Sequence, residues 1–159
     1  MIETARSSAL HALRRAEHLL GHAQAADLLQ ARLAEGMFTF ENQIATAASM
    51  ARRSVLMLVG QEAPHGPYAK GADGLRARIE TARADIRACE GAALERVTHR
   101  AGFADLEQTA EDYVARFALP NLWFHVSMAY AILRANGVEI GKADFDGLHR
   151  YPEGFAFED

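Results

Sequence analysis

Residues 39–59 read TFENQIATAASMARRSVLMLV, and the stretch that follows, residues 60–73, reads GQEAPHGPYAKGAD. In the first stretch Ile44, Ala47, Ala48, Ala51, Val55 and Leu58 recur at spacings of three and four, so one helical face is apolar from end to end. The alanines in that stripe allow a neighbouring helix to approach closely. In the second stretch glycine, proline and polar residues replace the pattern, and the residues before Pro64 and Pro67 are pushed towards extended backbone. At about 3.3 Å per residue, a connection of this length can run from one end of a helical bundle to the other. The helices on either side can then be parallel neighbours joined by a crossover. The expected fold is an all-α four-helix bundle, a single domain over residues 1–159.

The rest of the chain fits around that pair. A first helix is expected over Glu3–His22, with Ala9, Leu13, Ala16 and Leu20 on one face. Ala25–Leu33 reads as a short connecting helix that stops at Gly36. After the crossover, Asp73 is the expected N-cap of a helix that turns Leu75, Ile79, Ala82, Ile86 and Cys89 inward and leaves Arg76, Arg78, Arg83, Asp85 and Arg87 on a solvated outer face. Between Gly91 and Gln108 the pattern breaks, and Val97, Thr98 and His99 before a turn at Gly102 allow a short hairpin.

Thr109, with Asp112 three residues on, resembles a capping box and opens the last helix. Pro120 should kink it, because proline lacks an N–H and clashes with the preceding turn. Asn121–Asn136 then continue to Gly137. Apolar residues surround much of this helix, so it is expected to be the most buried, and its breadth favours a homodimer. Residues 138–159 read as an irregular tail packed on the bundle.

Composition excludes several classes of function. Acidic residues number 21 against 17 lysines and arginines, a net charge of −4 with both signs interleaved, so there is no electrostatic footprint for nucleic acid. No run approaches the 18 or so apolar residues of a membrane span, and charges at Glu3, Arg6, Arg14, Arg15 and Glu17 interrupt any secretory leader. One cysteine, Cys89, cannot form an internal disulfide, so a reducing, cytoplasmic setting is expected.

Seven histidines direct attention to metal chemistry, since imidazole is a common transition-metal ligand. His11, His18 and His22 share a helical face opposite the Ala9–Leu20 stripe, which places them towards solvent. His65, His99 and His149 read as polar loop or tail residues. His125 differs, for it lies in the most apolar helix with Asn121 one turn before it. A histidine there needs a partner, because a buried polar group without one costs about 1–3 kcal/mol.

The stretch Phe117-Ala-Leu-Pro-Asn-Leu-Trp-Phe-His125, with Ala129-Tyr-Ala-Ile-Leu-Arg-Ala-Asn-Gly-Val-Glu-Ile-Gly141, resembles the last helix of a family of bacterial domains of unknown function. Gln43-Ile-Ala-Thr46 resembles the start of that family's second helix. The family belongs with the DinB and YfiT metalloenzymes, and the resemblance runs from the first helix to about Phe145. It implies an up-down-down-up bundle with the crossover between helices 2 and 3. Typical members hold nickel or zinc with one histidine early in helix 2 and two, spaced by four, in helix 4. Here His125 matches the second of that pair, Asn121 stands at its partner position, and helix 2 offers Asn42 and Gln43.

Carboxamide oxygens are weak ligands for nickel or zinc. Gln43, Asn121 and His125 therefore read as a polar patch in the bundle, and the chain as a binding protein with a non-metal or degenerate site. A small-molecule pocket walled by Met50, Trp123 and Phe124 is one form of this. The alternative is a metal-dependent transferase or hydrolase with His125 as a ligand, assisted by Glu41 or His65.

Overall fold

The computed structural model describes residues 1–63, 66–152 and 155, which leaves His65 and Phe157 outside the described residues. In chain order it contains α1 (Ile2–Ala25), α2 (Phe40–Leu56) with a 3-10 turn at Met57–Val59, and α3 (Gly71–Ala88). A hairpin follows, β1 (Arg96–Ala101) and β2 (Ala104–Thr109), and then α4 (Ala110–Asp112), a π-helical stretch Tyr113–Ala118, α5 (Leu119–Ala135) and α6 (Lys142–Asp146). The bundle is formed by α1, α2, α3 and α5.

Side-chain contacts fix the direction of each rod. Going along α2, Glu41 accepts from the Gly71 amide, the Ala45 carbonyl accepts from Arg78, and Arg52 pairs with Asp85, so α2 and α3 run parallel. Gln43 faces His125, whereas the Arg53 carbonyl accepts from Tyr113, so α5 and the π stretch run against α2. Arg6 reaches the Cys89 carbonyl and Arg83 reaches Leu13, so α1 opposes α3. The order is up-down-down-up, and the crossover joins the parallel pair as the sequence pattern predicted.

Several local expectations are corrected. The most buried rod is α2, where thirteen of 17 residues are buried, and not the last helix, whose Phe124 is 53% exposed. The reason is position, since α2 packs against α1, α3 and α5 together. The segment after α1 is not a helix. Asp27 has a left-handed φ of 55°, and the Leu29 and Ala31 carbonyls are used to accept from Glu41 and Phe40, which caps the opening turn of α2. α3 begins at Gly71, ahead of the expected cap at Asp73, because the Glu41 carboxylate supplies the cap from the neighbouring helix.

Nor is the arginine face of α3 all solvated. Arg83 is 8% exposed and reaches Glu17 (2.7 Å) and Glu80, while Arg78 lies against α2. Long basic side chains cover apolar surface between rods in this way while their heads find partners. At the last helix, Thr109 caps the Asp112 amide, and the backbone widens into the π stretch before Pro120 instead of breaking at it. The tail contains α6, so it is not wholly irregular. Asp144 accepts from the Gly141 amide at its start, and Gly147, with a φ of 68°, ends it.

Candidate functional site

At the end of the bundle where α2 starts, α2 and α5 bring Gln43 and His125 together. Gln43 is 2% exposed, on the side of α2 that faces α5, and its Oε1 lies 2.7 Å from His125 Nδ1. With a carbonyl oxygen as partner, Nδ1 carries the proton and Nε2 keeps its lone pair. Burial pushes the His125 pKa below its ordinary value, so the ring is neutral. The Phe38 ring lies nearly parallel to it, with centroids 6.3 Å apart, and Phe124 meets it edge-on at 5.2 Å.

Asn121 does not join this pair. Its Nδ2 donates to the Phe117 carbonyl at 2.7 Å, one turn back on its own helix. Glu41 stands two residues from Gln43, which on a helix points it to the far side, towards α3. There its carboxylate, 3% exposed, accepts from the Gly71 amide (2.7 Å) and Gln30 (3.0 Å) and has Lys70 at 3.7 Å. Burial works to raise its pKa, but these contacts outweigh it and the net shift is downward.

The expected pocket wall does not assemble. Trp123 points to the opposite side of α5, where Nε1 donates to Ser8 at 3.2 Å and the ring packs on His11 and Phe145. Met50 is buried in the core, and Phe124 stays beside His125. A small hollow of about 180 Å³ is lined by Phe38, Asn42, Ala45, Thr46, Tyr68 and Lys70; it shares Phe38 with His125, and neither His125 nor Gln43 lines it. Tyr68, from the crossover, donates towards Asn42 Oδ1 at 3.5 Å, and Lys70 donates to the Tyr68 oxygen at 3.1 Å. A larger hollow of about 330 Å³ lies between the crossover and α3, but it does not touch His125.

Other histidines depart from their expected settings. His99 is a buried strand residue and not a loop residue, 4% exposed, with Nε2 at 2.6 Å from Gln108 and its ring between Tyr113 and Phe117. The alternation of Val97 and His99 in the hairpin was the signal that could have placed it inward. His18 and His22 are half-buried, because α6 folds back across the α1 face expected to be solvated.

The parallel α2–α3 pair and the crossover between them define a DinB-like four-helix bundle. The chain belongs to the family described as Domain of unknown function (DUF1993), which matches residues 1–146. A solved structure of a DinB family member protein from Shewanella denitrificans is similar over 96% of this chain and 92% of that one, at 26% identity and a TM-score of 0.75. Comparison with curated proteins finds no match. Among the described residues, no helix is long and apolar enough to cross a membrane.

Proposed function

We propose that this DinB-like bundle is a binding protein whose Gln43–His125 pair stands, without a metal, where related proteins hold one, and that the nearby hollow takes a small organic acid. The observation that carries this reading is the 2.7 Å contact between His125 Nδ1 and Gln43 Oε1. Transition-metal sites in proteins draw three or more ligands from imidazole, thiolate and carboxylate. Here one imidazole faces a carboxamide, the second carboxamide is turned to its own backbone, and the Glu41 carboxylate serves α3. That donor set does not fit nickel or zinc.

The hollow supports the choice of ligand. Its apolar wall is Phe38, and its polar groups are Asn42, Thr46, the Tyr68 hydroxyl and the Lys70 ammonium, which gives a cation and hydrogen-bonding groups for a carboxylate. Its volume admits only a few heavy atoms. Thermal-shift screening of small carboxylic acids, thiols and amines, followed by calorimetry, tests this. An acid should stabilise the protein and bind at least tenfold more weakly to Lys70→Ala. A panel without a stabilising acid, or a stoichiometric metal lost in His125→Ala, overturns the reading.

A further inference from the structure

A second set of donors converges far along the chain from His125. His18 and His22 are four residues apart on α1, so their rings rise one helical turn from each other on one face. α6 crosses that face and places Asp144 between them, with Oδ1 at 2.9 Å from His18 Nε2 and 3.9 Å from His22 Nε2. One donor atom from each of the three residues lies within 4.8 Å of the other two. Bonds of about 2.0–2.1 Å in tetrahedral geometry separate ligand atoms by about 3.3 Å, a spacing that the two measured distances bracket.

The carboxylate is also oriented from behind. Asp144 Oδ2 accepts from the Gly141 amide at 2.8 Å, which leaves Oδ1 for the histidines, and a hydrogen bond of this kind holds a ligating carboxylate in place. His11, one further stretch along the same α1 face, reaches the Asp146 carbonyl at 2.8 Å and fixes the other end of α6.

We propose that His18 Nε2, His22 Nε2 and Asp144 Oδ1 bind a divalent transition metal of the zinc class, with water in the fourth position, and that the ion clips α6 to α1. Two imidazoles and a carboxylate suit zinc, nickel or copper and not magnesium or calcium, which take oxygen ligands. Binding requires a lone pair on both Nε2 atoms, so each imidazole carries its proton on Nδ1 when the metal is bound.

The test is titration of the full chain, purified without a histidine tag, with zinc in competition with a chromogenic chelator. One equivalent should bind, at least tenfold more weakly in His22→Ala and in Asp144→Asn, and equally well in His125→Ala. The carboxamide that Asp144→Asn introduces keeps an oxygen for the Gly141 amide and loses only the contact with His18, so that variant should still fold, and zinc should raise the melting temperature of the parent alone. If the parent binds zinc no tighter than His18→Ala/His22→Ala, or if its zinc equivalent disappears in His125→Ala, the assignment is wrong.

Discussion

A glutamine that is 2% exposed must find partners inside the protein, and Gln43 finds one in the ring of His125. Gln43→Ala removes that acceptor and leaves Nδ1–H facing an apolar wall of Phe38 and Phe124. The expected loss of stability is about 1–3 kcal/mol, towards the lower figure because the histidine is only partly buried. Urea unfolding measures it, and an unchanged midpoint would mean that the pair contributes nothing.

The same histidine makes stability depend on pH. Burial holds its folded-state pKa below that of the unfolded chain, so between the two values the unfolded chain binds more protons. Stability is full above about 6.5 and is lost as pH falls below it, until the folded ring also takes a proton. Comparing urea midpoints at pH 7.5 and pH 5.5, the parent should lose more than His125→Asn, and parallel losses would contradict this. That His125 needs a partner inside the protein was legible in the sequence, because a polar residue surrounded by apolar turns must be satisfied. The choice of Gln43 over Asn121 was not, since it depends on which carboxamide the α2–α5 packing brings within reach.

Among the elements, the crossover fixes the geometry of both α3 and the hollow. Gly74 sits where the Ala69 carbonyl presses on the first turn of α3, and a Cβ added there would lie 1.7 Å from that oxygen. Alanine in place of glycine would otherwise favour the helix by about 1 kcal/mol. The clash is with backbone that cannot rotate away, so Gly74→Ala should destabilise the protein by about 1–3 kcal/mol net, measured by thermal or urea unfolding. A stabilised variant would show that the crossover yields freely.

Helix stripes and the hairpin were legible because periodicity is a local property. Start points were not, where the cap comes from another element. Glu41 caps Gly71 from α2, and the Leu29 and Ala31 carbonyls cap α2 from a loop, so Asp73 and the segment after Ala25 misled. Amphipathicity also misjudged α1, whose histidine face reads as solvated in isolation and is half-covered once α6 folds back.

For the whole molecule, the composition of residues 60–73 carried the topology, because only a long breaker-rich connection lets two sequential helices run parallel. The resemblance in residues 117–141 carried the family. What neither carried is the distribution of imidazoles between two sites, one at the α2–α5 contact with a carboxamide and one at the α1–α6 contact with a carboxylate. Elemental analysis of His18→Ala/His22→Ala, purified without a tag from metal-supplemented cells, separates them most directly. The account predicts no stoichiometric nickel, zinc, iron or manganese in that variant, and a full equivalent that vanishes on adding His125→Ala would contradict it.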